Sequence, residues 1–153
     1  MQTYTVSLFG HRRIDKFHKL DGILEKTVKE LISSNEFVEF LIGRNGDFDE
    51  YAASVIKRVQ KCMGKERCAL TLVLPYTVAD IEYYQDYYDS VIIPEELYGV
   101  YPKSAIAKRN KFMVDRSDLV VIWCERGSGG AYEAEKYARV QGKSVLSLSI
   151  IDN

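Results

Sequence analysis

The sequence predicts an α/β protein with a Rossmann-like, three-layer sandwich, in which a mostly parallel sheet has helices on both faces. Short strand-like apolar runs alternate with helix-like segments along the chain, and the connections between them are short. The run Leu119–Trp123 is apolar without alternation, as central parallel strands are. Because 153 residues is an ordinary domain size and no linker interrupts the pattern, we expect one domain, residues 1–153.

The strands are predicted from apolar runs bounded by glycine, proline or polar residues. In chain order these runs are Thr3–Phe9, Phe37–Ile42, Ala69–Leu74, Val91–Ile93, Leu119–Trp123 and Ser144–Ile150. Since strand-to-helix alternation favours parallel pairing, the carboxyl ends of these strands should lie along one edge of the sheet. Ligands of such sheets bind at that edge.

The helices are predicted from apolar residues that recur every three or four positions. In chain order they are Phe17–Ile32, residues 45–63 with Asn45 or Asp47 as the cap, Asp80–Asp89, Ser104–Arg116 and Tyr132–Val140. Residues Pro94–Lys103 are the least regular stretch, and Gly142 should end the fifth helix.

The composition excludes several classes of protein. The net charge of −1 provides no general basic field, so the sequence argues against nucleic acid as a partner. No apolar run reaches the roughly 18 residues of a membrane span, and the first residues lack the features of a signal peptide. Three cysteines without a close pair indicate reduced thiols, so we expect a cytoplasmic protein. With only two histidines we expect no metal site, and nothing indicates a cofactor.

Glycine stands beside polar residues at three strand ends. The candidate ligand- or phosphate-binding residues there are Gly10, His11, Arg12, Gly43, Asn45, Gly46, Gly127, Ser128, Gly129 and Gly130. Each glycine on its own could merely permit a tight turn. Three such segments on one edge favour a shared binding crevice.

The turn Gly127–Gly130 is the strongest of these signals. Its glycines let a ligand approach the backbone, and the N–H groups that begin the next helix have no intrahelical partners. The helix dipole favours an anion at this end, and Ser128 could cap the helix or donate to a phosphate oxygen. The turn matches neither the Walker pattern nor Gly-x-Gly-x-x-Gly, so spacing alone indicates phosphate binding without specifying the ligand.

Three charged or titratable residues have two interpretations each. Glu133, in the first turn of the last predicted helix, is either a catalytic carboxylate or a partner of the helix dipole. Arg109 either pairs with a phosphate or belongs to a solvated face of Lys108–Lys111. His11 either donates to a phosphate and exchanges protons, or is a polar loop residue.

Four blocks of the sequence resemble the SLOG superfamily, which includes the LOG-type cytokinin phosphoribohydrolases and the DprA/Smf DNA-processing proteins. The blocks are Phe9–Arg12, Gly43–Ala53, Arg109–Asp118 and Gly127–Glu133, and their order matches across nearly the whole chain. The likeness is greatest to small bacterial members that begin with a Gly-His-Arg segment. The resemblance implies a Rossmann-like sheet, a nucleotide-type ligand and a homo-oligomer, most simply a dimer.

The resemblance also implies site residues. In the LOG enzymes, a Pro-Gly-Gly-x-Gly-Thr-x-Glu-Glu stretch holds the phosphate and supplies a catalytic Glu, which matches Glu133 here, and a preceding Arg matches Arg109. This chain has Ala131 and Ala134 where those enzymes have the Thr and the second Glu. The same region is similar to nucleoside deoxyribosyltransferases.

The expected function is therefore the binding of a nucleotide or ribose-phosphate ligand, as a sensor or regulatory module. The alternative is an N-glycosidase, phosphoribohydrolase or deoxyribosyltransferase that uses Glu133 with Arg109. Such chemistry passes through an oxocarbenium-like state that a carboxylate stabilises. The sequence leaves open whether the protein is an enzyme.

Overall fold

The computed structural model describes residues 2–15, 17, 20 and 22–151, and within them six strands form one parallel sheet. The strands are β1 (Thr3–Gly10), β2 (Phe37–Ile42), β3 (Cys68–Val73), β4 (Ser90–Ile92), β5 (Leu119–Trp123) and β6 (Ser144–Ser147). Their spatial order is β4-β3-β2-β1-β5-β6, and every neighbouring pair is parallel.

Helices connect successive strands, as the alternating pattern predicts. They are α1 (Ile23–Ser34), α2 (Asp47–Met63), α3 (Ile81–Tyr87), α4 (Pro102–Arg116) and α5 (Gly130–Val140), and a further short helix, α6 (Leu148–Ile151), follows β6. A short 3-10 turn, Glu95–Leu97, lies before α4. No helix in the described part of the chain has the length and apolar character needed to cross a membrane.

Two apolar cores lie on opposite faces of the sheet, which confirms the predicted layering. One core joins α1 and α2 to alternate residues of the strands, such as Val6, Phe40 and Leu70, all fully buried. The other joins α4 and α5 to the intervening strand residues, such as Leu41 and Ile122. Side chains on opposite faces of one strand thus pack in different cores, because successive side chains of a strand point to opposite faces of the sheet.

Several boundaries differ from the predicted ones. Helix α4 begins at Pro102 rather than at Ser104, because proline fixes a helical φ and needs no N–H partner in a first turn. Strand β6 ends at Ser147, because Leu148 starts a helical turn that buries its side chain in the core. Helix α1 begins at Ile23, after Gly22 with its positive φ of 83°. The earlier part of the predicted helix lies partly outside the described residues.

The strand order fixes where a ligand can bind. From β1 the chain builds β2, β3 and β4 on one side, then crosses to place β5 and β6 on the other. Gly10 and Trp123, the last residues of β1 and β5, are neighbours in the sheet. The helices that follow these two strands, α1 and α5, pack on opposite faces of the sheet, and such a switch point forms a crevice in open α/β sheets.

Candidate functional site

A crevice of about 450 Å³ lies at the carboxyl ends of β1, β2 and β5. Ten of the twelve sequence-predicted site residues line it, namely Gly10, His11, Arg12, Gly43, Asn45, Gly46, Arg109, Ser128, Gly129 and Gly130. Gly127 and Glu133 are not among the lining residues. The topology therefore brings the three glycine-containing loops and the α4 arginine to one place.

The N-terminus of α5 forms one wall of the crevice. Gly129 has a φ of 97°, a left-handed conformation that residues with a Cβ adopt only under strain. Within the described residues, the N–H groups of Gly129, Gly130 and Ala131 donate to no acceptor. These N–H groups and the dipole of α5 are therefore available to an anion in the crevice.

The N-terminus of α2, which lies nearby, is occupied by the protein itself. The N–H of Asp47 donates to the carbonyl of Arg12 at 2.8 Å, and the N–H of Phe48 to that of His11 at 3.3 Å. The carboxylate of Asp47 accepts from the N–H of Ile14 at 2.9 Å rather than capping α2. This helix end thus anchors the β1–α1 loop instead of receiving a ligand.

Gly10 and Gly43 line the crevice, but each also makes room for a buried side chain. A Cβ on Gly10 would overlap the ring of Phe48, which is fully buried. A Cβ on Gly43 would lie 2.7 Å from Nη1 of Arg109. Both glycines are therefore required for internal packing, whatever the ligand.

Arg109 is buried in the floor of the crevice, with 3% of its surface exposed. Its Nη1 donates to the carbonyl of Val73 and its Nε to the side chain of Asn110, both at 2.9 Å. Burial lowers the pKa of Arg109, and the nearby Asp49 acts against that shift. Arg109 is thus not part of a solvated face, since the fold holds its guanidinium rigidly at the site.

Asp49 is the main residue of the crevice that the sequence analysis did not identify. It lies in the first turn of α2, and one carboxylate oxygen accepts from the N–H of Asn45 at 2.9 Å. Burial raises its pKa, while the Asn45 N–H and the Arg109 charge lower it. Its sequence signals are its position after the glycines of the β2 loop and its place in the block Gly43–Ala53, and both also fit an ordinary first-turn acidic residue.

Three exposed arginines surround the opening of the crevice. Arg12 and Arg13 follow β1, and Arg126 follows β5. The Arg126 guanidinium reaches the carbonyl of Arg13 at 3.4 Å, so the two loops meet at the rim. Together with Arg109 at the floor, four arginines line the crevice. Among the described residues that line it, Asp49 is the one with an acidic side chain.

His11 joins the two loops that form the crevice. Its Nε2 accepts from the N–H of Glu125 at 2.7 Å, so the ring is neutral and carries its proton on Nδ1. Burial lowers the pKa of His11 below its usual 6.5, Arg126 lowers it further, and Glu125 acts in the opposite direction. The imidazole thus holds the β5 loop in place as a hydrogen-bond acceptor.

This contact predicts a pH-dependent stability. Because the folded-state pKa of His11 lies below the unfolded value, the unfolded chain binds more protons between the two. The His11 contribution is therefore complete well above pH 6.5, where both states are deprotonated, and is lost as the pH falls through 6.5 toward the folded-state pKa. We expect the free energy of unfolding to decrease between about pH 7.5 and about pH 5.5, measured by urea denaturation.

The variant His11→Gln tests the assignment, because its amide oxygen can accept the same N–H without titrating. In this variant the decrease in unfolding free energy over that pH range should be smaller than in the wild type. Equal pH dependence in both proteins would show that His11 does not carry the effect.

Glu133 lies outside the crevice, on the solvent side of the first turn of α5. Its carboxylate is 3.7 Å from Nζ of Lys136, and its side chain is 66% exposed. The side chain therefore occupies the position expected of a partner of the helix dipole. The catalytic role assigned to Glu133 stays a prediction.

No protein-family model matches the sequence, and no curated protein matches it. A solved structure of DNA processing protein A from Helicobacter pylori, described for its unique mode of binding single-stranded DNA, has the same fold. The TM-score is 0.63 and the sequence identity 15%, and the match covers 94% of this chain but 64% of that chain. At this identity the likeness establishes the Rossmann-like fold that the SLOG-type resemblance implies.

The exclusion of nucleic acid on the basis of net charge is wrong, because a protein with this fold binds single-stranded DNA. The physical reason lies in the distribution of charge. A net charge of −1 averages over the whole surface, whereas Arg12, Arg13, Arg109 and Arg126 gather at one edge of the sheet. The local field at the crevice is set by these arginines.

Proposed function

We propose that residues 1–153 form one SLOG-like domain that binds a nucleotide or a related ribose-phosphate ligand in the switch-point crevice. One observation carries this proposal: buried Arg109 and the unpaired N–H groups that begin α5 line the same crevice. A helix N-terminus and a nearby guanidinium both favour an anionic ligand, and a phosphate of that ligand can accept from the N–H groups of α5.

The size and lining of the crevice suit a ligand of this class. A volume of about 450 Å³ lies within the usual range for small-molecule sites, roughly 300–1,000 Å³. Apolar contacts from Leu8, Phe9 and Met113 accompany the polar groups. The phosphate would lie toward Gly129, Gly130 and the rim arginines, and the rest of the ligand toward the strand ends.

The proposed role is a sensor or regulatory module. The placement of Glu133 supports this choice, because its carboxylate faces solvent and pairs with Lys136 instead of lining the crevice. The alternative remains an N-glycosidase or transferase that uses Glu133 and Arg109. That reaction needs a carboxylate beside the sugar C1, so it requires a rearrangement of the first turn of α5.

A second candidate, single-stranded nucleic acid, is favoured by a specific observation besides the fold of DNA processing protein A. A second depression of about 550 Å³ lies beside the crevice and shares His11, Arg13 and Arg126 with it. A strand could pass over the rim arginines from one depression to the other. Among the described residues that line the second depression, the aromatic one is Trp123, which is buried, so this depression offers no exposed aromatic ring for base stacking.

A binding screen tests the first candidate. We expect nucleoside monophosphates or ribose phosphates to raise the melting temperature, because a ligand that binds the folded state stabilises it by mass action. The variant Arg126→Gln should raise the dissociation constant of a ligand found in this screen about tenfold, because one charge-assisted hydrogen bond is lost. Isothermal titration calorimetry measures that change.

Arg139→Gln is the matched control, since Arg139 is an exposed arginine that pairs with Glu135 far along α5. It should leave the dissociation constant unchanged. Chromatography for released base separates a sensor from a glycosidase. If no phosphate ligand binds, but a single-stranded oligonucleotide binds with strong salt dependence, the second candidate replaces the first.

A further inference from the structure

Two polar groups at the crevice floor have hydrogen-bonding capacity that the protein leaves unused. One oxygen of Asp49 accepts the Asn45 N–H, and the other accepts from no described residue. Nη1 and Nε of Arg109 are bonded, whereas its Nη2 donates to no described residue. No fully buried polar side-chain atom in the described part of the chain lacks a partner, so both free atoms are accessible, and both residues line the crevice.

The two groups are near one another without forming a direct ion pair. Each charge shifts the pKa of the other, yet the ion pairs among the described residues include none between Asp49 and Arg109. Asp49 is on α2 and Arg109 on α4, so they reach the crevice from opposite faces of the sheet. The fold therefore offers a carboxylate acceptor beside a guanidinium donor, with both free atoms facing the ligand space.

This pairing fits a hydroxyl-bearing group better than a phosphate. A carboxylate only accepts and a guanidinium only donates, whereas a hydroxyl does both. A phosphate against Asp49 would place two anions together in a partly buried site. Adjacent hydroxyls could donate to Asp49 and accept from Arg109, and the phosphate would then lie toward the N-terminus of α5.

We propose that Asp49 and Arg109 recognise the adjacent 2′- and 3′-hydroxyls of a ribose, so that the crevice selects ribose ligands over their 2′-deoxy counterparts. This inference rests on the proposed nucleotide-binding function and makes it more specific. In a 2′-deoxy ligand the free oxygen of the Asp49 carboxylate keeps no partner, because the 3′-hydroxyl that remains is the one that accepts from Arg109. A site built to bond a hydroxyl rejects the analogue that lacks it for that reason.

The first test uses the unaltered protein and two matched pairs of probes. Ribose 5-phosphate is compared with 2-deoxyribose 5-phosphate, and AMP with dAMP, by isothermal titration calorimetry. We expect the ribose member of each pair to bind roughly tenfold to a hundredfold more tightly, as for one hydrogen bond to a charged group. The sugar phosphates make the result independent of the base.

The second test is the variant Asp49→Asn, with Glu50→Gln as its control. Glu50 is the next residue of the same turn, is exposed, and is absent from the crevice lining, so its replacement removes the same charge outside the site. Asp49→Asn should reduce affinity for the ribose probe by about tenfold and leave the deoxy probe nearly unchanged, removing the selectivity. Glu50→Gln should keep the selectivity.

The outcomes separate this inference from the proposed function. Equal affinity for the ribose and deoxy members overturns the inference, while the binding itself supports the proposed function. Selectivity that survives in Asp49→Asn also overturns the role of Asp49. If none of the four probes binds, the proposed function fails and the inference with it. The wild-type comparison remains decisive even if a variant does not fold.

Discussion

Replacing Arg109 with glutamine is expected to weaken binding of a phosphate-bearing ligand by roughly a hundredfold or more, since a charge-assisted hydrogen bond and a nearby positive charge are both lost. The guanidinium is fixed by Val73 and Asn110, so little further ordering is needed when a ligand binds. Lysine should be a poor replacement, because an ammonium lacks the planar fork that bonds the Val73 carbonyl while another N–H faces the ligand.

Calorimetry on Arg109→Gln and Arg109→Lys measures this loss, and denaturation checks that both variants fold. Leaving the Val73 carbonyl unpaired costs about 1–3 kcal/mol, and removal of a buried charge offsets part of that cost. Lys108→Gln is the control, since it removes an exposed charge from the preceding position of α4. Unchanged affinity in both Arg109 variants would contradict the assignment of Arg109 to the site.

Replacing Gly10 with alanine is expected to lower the free energy of unfolding by about 3 kcal/mol, the upper part of the usual range for overpacking. The added Cβ would overlap the Phe48 ring, which is fully buried in the core between β1 and α2. Neither the Gly10 backbone nor the Phe48 ring can move easily. Gly10 is paired with Trp123 in the sheet, and the backbone N–H of Phe48 donates to the carbonyl of His11.

Urea denaturation measures the change, and Gly127→Ala is the matched control. A Cβ at Gly127 meets no atom within 4 Å, and its φ is not in the left-handed region, so this change should alter stability by less than about 0.5 kcal/mol. Similar stabilities for the Gly10 and Gly127 variants would mean that Gly10 serves the ligand rather than the packing of Phe48.

Much of the site was predictable because the topology follows from local patterns. The strand–helix alternation predicts a parallel sheet, and a parallel sheet brings the loops after its strands to one edge. The sequence pattern therefore suffices to assign Gly10, Gly43 and Gly129 to a common crevice. Their individual roles were not predictable, because Gly10 and Gly43 are needed for contacts with Phe48 and Arg109, which come from distant elements.

The assignments that depend on side-chain direction were harder to predict. Glu133 and Asp49 are both first-turn carboxylates on helices that follow glycine-containing loops, so the sequence offers no way to tell them apart. The crevice includes Asp49 and leaves Glu133 in solvent, because the way each helix packs on the sheet decides which side of its first turn faces the strand ends.

The sequence by itself determined the fold class, the order of strands and helices, and the edge at which the loops meet, since these depend on periodicity and turn residues within short segments. The tertiary structure alone decided that Arg109 is buried and that Asp49 lines the same crevice. It also decided that four arginines line this crevice although the net charge of the chain is −1. The physical reason is that burial, charge proximity and unused hydrogen-bonding capacity are properties of packing between α2, α4 and α5 across the sheet, which no local pattern encodes.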